Sequence, residues 1–249
     1  MNPVVPTLRP DVSARARPIS HLQHQHHSLT ARFLQFVDDH SFPCVGAKAA
    51  LARSEIYVHE FGDLSQTFDD SNLLNKLEEF VEMMNVCESD CVKVHSFVAL
   101  FDGPACSSEL HFEHMLWTRL YSLHLLDVAR GTVAASDISS NPASPQFSLS
   151  LAGHPFFIIG LHPGASRLAR QFECPVLVFN SHRQFERLRA DGRYTRMQKA
   201  TRKRDIDLQG SINPNLADFG SNSEARQYSG RKVDATWTCP FDFRRGNNA

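Results

Sequence analysis

The stretch that decides the fold is HPFFIIGLHPGASRLAR, residues 154–170. Its central run, residues 156–161, is apolar at every position except a single glycine, and Pro155 and Pro163 stand on either side of it. A short, almost unbroken apolar run between prolines is typical of a strand buried on both faces. We therefore predict a central strand here and build the rest of the chain around it.

Ionisable and charged residues follow the end of this strand. His162 follows the last apolar residue, a Pro-Gly turn comes next, and residues 166–170 are predicted to open a helix with Arg167 and Arg170 on one side. An imidazole binds metals, and guanidinium groups bind carboxylates. The corner therefore suits an anionic cofactor that carries a metal. The alternative interpretation is a hydrogen-bonded structural histidine beside two solvated arginines.

The remaining patterns alternate between helical and strand periodicity. Helices are predicted from Ser28 to about His40, after Phe42-Pro43, from about Asp70 to Met84, from Ser107 or Ser108 to about Ala129, and from Ser181; strands are predicted over 55–62, 93–101, 147–151 and 175–180. The strand over 147–151 is expected to form a hairpin with the central strand. These elements predict an α+β fold with a mixed, largely antiparallel sheet of about five strands flanked by helices.

Two ends of the chain lack such periodicity. Residues 1–27 are rich in proline, arginine and histidine, and we predict a flexible N-terminal arm followed by a single domain over 28–249. Residues 208–241 are rich in turn residues but contain interleaved aromatic side chains. A long loop of this composition is expected to be ordered and functional, so we predict a C-terminal cover over a pocket.

Composition excludes several classes of protein. The chain has 249 residues, 42% hydrophobic, with a net charge of -1, which is enough for a full core but provides no overall positive field for nucleic acid. No apolar run has the length of a membrane span, and the N-terminus lacks the apolar segment of a secretory signal. We therefore expect a cytoplasmic protein whose six cysteines are reduced.

Two further groups of polar residues are candidates for function. Glu109, Glu113 and Trp117 share one face of the predicted fourth helix and suit a bound guanidinium or ammonium group, although a partly exposed helix edge explains them equally well. A basic run over 193–204 is interpreted as a solvated face or, as the second choice, as a docking surface for an acidic electron-transfer partner.

Several segments, in this order, resemble one known family. FPC at 42–44, the stretch 154–170, PVLVFNSH and QFERLR within 175–189, and LQGS, DFG, QYSGR and CPF within 208–241 are similar to the YqcI/YcgG family. Within that family they most resemble enzymes that use haem to hydroxylate a guanidino nitrogen of L-arginine, as in D-cycloserine biosynthesis. The resemblance implies a monooxygenase that binds haem b (protohaem IX) and forms Nω-hydroxy-L-arginine.

The resemblance also implies roles at the haem. His162 is expected to bind the iron, with His154 as the second choice, while Arg167 and Arg170 bind the propionates and Phe157 packs on the macrocycle. A thiolate ligand remains open, and Cys44 and Cys239 are the alternatives because each lies beside a proline.

For the substrate, a carboxylate is expected to bind the guanidinium, since a buried unpaired charge is costly. Glu113 or Glu109 is the first choice and Asp218 or Glu224 the second, while Asn213, Tyr228 or Arg231 is expected to bind the substrate's own carboxylate.

The expected partners are L-arginine, O₂ and an electron-donor protein. The chain contains no GxGxxG fingerprint, so reducing equivalents from NADPH are expected to arrive through that external donor. No nucleic acid or membrane partner is expected, and a homodimer is compatible with the sequence. Two alternatives remain: a haem carrier or sensor without turnover, and a structural protein that binds no haem.

Overall fold

The computed structural model describes residues 28–86, 93–214 and 222–243. The predicted N-terminal arm and Asp218 lie outside these ranges. The helices are α1 (Leu29–Asp38), α2 (Val45–Ala52), α3 (Asp70–Val86), α4 (Glu109–Ala129), α5 (His182–Ala190) and α6 (Arg193–Gln209). The strands are β1 (Ile56–Asp63), β2 (Ser96–Gly103), β3 (Leu149–Leu151), β4 (His154–Leu161) and β5 (Val176–Ser181).

The five strands form one sheet in the order β1-β2-β5-β4-β3. β1 pairs in parallel with β2, and the other three pairings are antiparallel. The predicted α+β class, with a mixed and largely antiparallel sheet, is therefore confirmed. The stretch 154–170 does supply an inner strand, β4, between β5 and the hairpin strand β3.

Helices α3 and α4 cover one face of the sheet. Their apolar side chains pack against Phe97, Phe156 and Phe179 in the larger of the two buried clusters. α4 approaches β4 most closely at Gly160, where a Cβ atom would lie 2.6 Å from a ring carbon of Phe112 and 2.8 Å from a methyl carbon of Leu116. The glycine inside the predicted strand thus permits the contact between helix and sheet.

The opposite face is covered by α1, α2, α5 and α6. A smaller buried cluster joins Phe33 and Val37 of α1 to Val98, Leu161 and Val176 of the sheet. Because successive strand residues point to opposite faces, each of the central strands contributes apolar residues to both clusters. This explains why β4 is apolar throughout instead of alternating.

The C-terminal segment 222–243 crosses from one face to the other around the edge of β4. The Gly160 N–H donates to the Tyr228 carbonyl at 2.8 Å, and the Tyr228 hydroxyl donates to the Phe156 carbonyl at 3.1 Å. The segment then packs on α4, where Phe241 stacks on Tyr121 with ring centroids 4.8 Å apart. The predicted C-terminal cover is present over these residues.

Local signals placed several helix starts correctly. The hydroxyls of Ser28, Ser108 and Ser181 each accept a hydrogen bond from the backbone N–H three residues later, as N-caps do. The helix predicted to open over 166–170 is wrong, because only a 3-10 turn, Leu168–Arg170, forms there. The Arg170 carbonyl accepts from the His162 N–H at 3.0 Å, which folds the segment back onto the end of β4.

Candidate functional site

A cavity of about 340 Å³ lies between the sheet and the helical layer that contains α1, α2 and α6. This volume falls within the usual range of small-molecule pockets, about 300–1,000 Å³. Its wall is mainly apolar and has several charged and amide side chains. The residues of its wall include Cys44, Ser96, Val98, Phe157, Ile159, Leu161, Arg170, Val178, Asn180, Asn213, Asn222, Glu224 and Gln227, with the α6 residues Tyr194, Met197, Thr201, Arg202 and Asp205.

The floor of the cavity is built from residues in register across the strands. Val98, Val178 and Ile159 are neighbours on β2, β5 and β4 and form an apolar row. In the adjacent row, the Ser96 hydroxyl donates to the Asn180 amide oxygen at 2.7 Å. The floor is thus apolar with one polar pair, as is usual in small-molecule pockets.

Cys44 reaches the cavity from the start of α2. It is the N-cap residue, and its Sγ accepts a hydrogen bond from the Ala47 N–H at 3.4 Å. Burial raises the pKa of the Cys44 thiol, while the N–H groups of Ala47 and Gly46 act in the opposite direction. A helix N-terminus favours a thiolate, and a bound metal cation would favour it further.

Arg170 brings a positive charge into the cavity wall. Its guanidinium donates to the carbonyls of Gly160 and Tyr228, each at 3.1 Å, which fixes it between β4 and the C-terminal cover. Burial lowers the pKa of Arg170 to about 10, so the side chain remains a cation at neutral pH. Arg189 and Arg202 also line the cavity.

The other notable charge in the wall is Glu224, which is 8% exposed. Its Oε2 is buried and has no hydrogen-bond partner within the described ranges, and it lies 3.6 Å from Nδ1 of His182. Amide side chains of Asn213, Asn222 and Gln227 line the cavity as well. A buried carboxylate with spare acceptor capacity is the feature that recognition of a guanidinium requires.

His162 lies on the other face of β4. Phe157, Ile159 and Leu161 line the cavity, and the two-residue period of a strand therefore directs His162 toward α4, where it stacks on Phe112 at 4.3 Å. Both ring nitrogens are buried without a hydrogen-bond partner among the described residues. Burial lowers the pKa of His162, although Glu109 acts in the opposite direction. The structure does not bring the predicted first-choice iron ligand to the cavity.

His154 also faces away from the cavity. Its Nε2 lies 2.8 Å from the Ser181 hydroxyl, and the residue is 3% exposed. Burial, with a smaller contribution from Arg183, lowers the pKa of His154 to about 4, so the ring is neutral at physiological pH. These contacts describe a histidine that joins β4 to the end of β5.

The two predicted propionate partners have different surroundings. Arg170 lines the cavity, as described, but Arg167 donates to Asp205 at 2.5 Å and to the Ser211 carbonyl at 2.7 Å. This buried pair joins the turn after β4 to α6 and leaves Arg167 outside the cavity wall. Of the other predicted cofactor residues, Phe157 does line the cavity.

The predicted substrate carboxylate Glu113 does bind a guanidinium, but that group belongs to the chain itself. Glu113 accepts hydrogen bonds from Arg231 and, at 2.6 Å, from the Trp237 indole N–H. Glu109 accepts from the Ser166 N–H at 2.8 Å. Glu113, Arg231 and Glu109 therefore lie on the α4 side of the sheet, away from the cavity, and Tyr228 is held by Phe156.

Cys239 has different surroundings from Cys44. It contributes to a second cavity, of about 380 Å³, between the C-terminal cover and the loop before β3. Burial raises the pKa of the Cys239 thiol to about 12, and the nearby acids Glu113 and Asp242 raise it further. Of these two alternative thiolates, Cys44 is the one that lines the cavity beneath α6.

Sequence reasoning missed the inner face of α6. The basic run over 193–204 predicts a solvated face or a docking surface, yet Tyr194, Met197 and Thr201 recur at helical spacing and line the cavity. This spacing of less polar residues within the basic run is the signal that identifies the buried side of the helix.

Taken together, fold and site define an α+β protein with a ligand cavity between a five-stranded sheet and a layer of helices. The YqcI/YcgG family model matches residues 33–242, and the chain belongs to that family. No match to a curated protein or to a solved structure was found. None of the helices in the described ranges combines the length and apolar character that a bilayer crossing requires.

Proposed function

We propose that the protein is a haem-dependent monooxygenase that hydroxylates a guanidino nitrogen of L-arginine to give Nω-hydroxy-L-arginine. Family membership supports the general assignment. The observation that carries the proposal is that one apolar cavity has both Cys44 and Glu224 in its wall. A thiol can bind haem iron, and a buried carboxylate can bind the guanidinium of the substrate.

The donor set of the cavity fits haem. Cys44 would bind the iron, the row formed by Val98, Val178 and Ile159 would pack on the macrocycle, and Arg170 and Arg202 would bind the propionates. When bound and reduced by an external donor, haem supplies the binding and activation of O₂. This replaces His162 by Cys44 as the proposed ligand, because His162 faces α4.

Glu224 would bind the substrate guanidinium. Burial of that cation without a partner would cost several kcal/mol, and a carboxylate with an unpartnered oxygen offsets this cost. The His182 ring lies beside this carboxylate, with Nδ1 3.6 Å from Glu224 Oε2. Amides of Asn213, Asn222 and Gln227 would bind the amino acid end of the substrate.

The helical layer would shield the reacting nitrogen from water. Phe33 and Val37 of α1 and Met197 of α6 line the cavity opposite the sheet. In such a low-dielectric site, the charge pairing between Glu224 and a guanidinium is stronger than in water and fixes the end of the substrate that carries the reacting nitrogen.

The test uses the purified chain supplied with haem. We expect a Soret band, a shift of that band on addition of L-arginine, and formation of Nω-hydroxy-L-arginine when a reductant and O₂ are added, detected by mass spectrometry. L-citrulline, which is similar in shape but uncharged, should cause no shift. A red protein that ignores L-arginine would indicate a carrier or sensor, and a protein that does not take up haem would reject the proposal.

A further inference from the structure

We propose that the outward face of α6, marked by Arg196 and Lys199, docks an acidic electron-donor protein. This inference rests on the proposed function, which requires external electrons, and it adds the surface and the kind of partner.

Positive charge is concentrated in α5 and α6. Residues 182–209 contain nine arginines and lysines but four aspartates and glutamates, although the whole chain has a net charge of -1. Because the rest of the chain is therefore acidic, this segment is the place where an approaching negative protein is attracted.

The four acidic side chains of this segment are already paired. Glu186 binds Arg189 at 2.6 Å and Asp191 binds Arg193 at 2.6 Å. On α6, Asp205 binds Arg167 at 2.5 Å and Asp207 lies 3.4 Å from Lys203. These four acids therefore pair with basic residues other than Arg196 and Lys199.

Arg196 and Lys199 retain their charge for a partner. Both are exposed, one helical turn apart, and neither forms a hydrogen bond or salt bridge with another residue of the described ranges. Asp191 interacts electrostatically with Arg196, but its carboxylate is hydrogen-bonded by Arg193. Exposed Ile206 lies farther along the helix and provides an apolar contact beside the charges.

The position of α6 brings its outward face close to the cavity. Its inner residues Tyr194, Met197 and Thr201 line the cavity, while Arg196 and Lys199 lie on the outer side of the same helix. An α-helix with its side chains is about 10–12 Å in diameter. A donor docked on α6 would thus be separated from the cavity by a single layer of helix.

The test compares two double charge reversals in the haem-loaded protein. Arg196→Glu with Lys199→Glu removes the docking charges, and Lys76→Glu with Lys232→Glu makes the same change in net charge on the side of α3 and the C-terminal cover. Reduction of the ferric haem by a reduced plant-type ferredoxin, an acidic iron–sulfur protein, is followed in a stopped-flow spectrophotometer at low and high salt.

We expect the α6 variant to be reduced about 10- to 100-fold more slowly than wild type at low ionic strength, with most of the salt dependence lost. The control variant should react at the wild-type rate. Equal rates for the two variants, or a wild-type protein that ferredoxin cannot reduce although dithionite can, would overturn the docking surface alone. Loss of haem binding or of the L-arginine shift in wild type would instead reject the proposed function, and the docking surface with it.

Discussion

Cys44→Ala is expected to lower the affinity for haem by more than about 100-fold and to remove the spectrum of a thiolate-bound iron. The reason is that Cys44 provides the thiol in the wall of the proposed haem cavity, at a helix N-terminus that favours the thiolate. Even residues that only support a metal ligand contribute about 10–100-fold to affinity, so loss of the ligand itself should cost more. Haem titration followed at the Soret band measures the effect.

Cys44→Ser separates ligation from folding. Serine keeps an acceptor for the Ala47 N–H, so α2 retains its N-cap, whereas alanine loses it at a cost of about 1 kcal/mol of stability. Both variants should lose the thiolate spectrum, but only Cys44→Ala should show reduced stability in urea. His162→Ala should keep the wild-type spectrum. If His162→Ala loses the spectrum and Cys44→Ser keeps it, the ligand lies on the α4 side of the sheet.

Glu224→Gln is expected to weaken L-arginine binding by about 30-fold or more, equivalent to about 2 kcal/mol. The substitution keeps the shape of the side chain and removes the charge that would face the guanidinium. Haem content should not change, because the proposed ligand and propionate partners come from other segments. The dissociation constant is measured from the L-arginine-induced shift of the Soret band.

The matched control for this prediction is Glu109→Gln, which makes the same chemical change at a carboxylate bound to the Ser166 N–H. Its L-arginine affinity should equal that of wild type. Glu113→Gln should destabilise the fold, because Arg231 would lose its partner, without a comparable loss of L-arginine binding. A Glu224→Gln variant with unchanged affinity would move the guanidinium site away from Glu224.

Much of the fold follows from local sequence signals. The serine N-caps of α1, α4 and α5 lie beside the first helical residues, and the apolar run 156–161 forms most of β4. Such signals act within a few residues, so a single sequence contains them. The 3-10 turn at Leu168–Arg170 was mispredicted as a helix because the hydrogen bond from His162 that folds it back is not a local feature.

The candidate site was less predictable because the sequence does not show which residues of β4 point to which face of the sheet. β4 is apolar on both faces, so its sequence contains no alternation that would show which residues face α4 and which face the cavity. A shift of one residue along a strand turns a side chain to the opposite face of the sheet. The sequence therefore predicts His162 and Phe157 at one site, whereas they lie on opposite faces.

Contacts between residues that are distant in the sequence account for the other difference between the predicted and the observed site. Glu113 and Arg231 are 118 residues apart in the chain, and each was assigned to the substrate although they bind each other. Cys44, Glu224 and Arg170 come from three distant segments and meet only after the sheet and helices have packed. The sequence ranks Glu224 behind Glu113 because burial and unpartnered atoms are properties of the folded chain.

The most direct test of the account is the position of iron in crystals of the haem-loaded protein, located by anomalous diffraction at the iron absorption edge. The account predicts a single strong peak in the cavity beneath α1 and α6, within bonding distance of Cys44 Sγ. A peak beside His162, between β4 and α4, would contradict it.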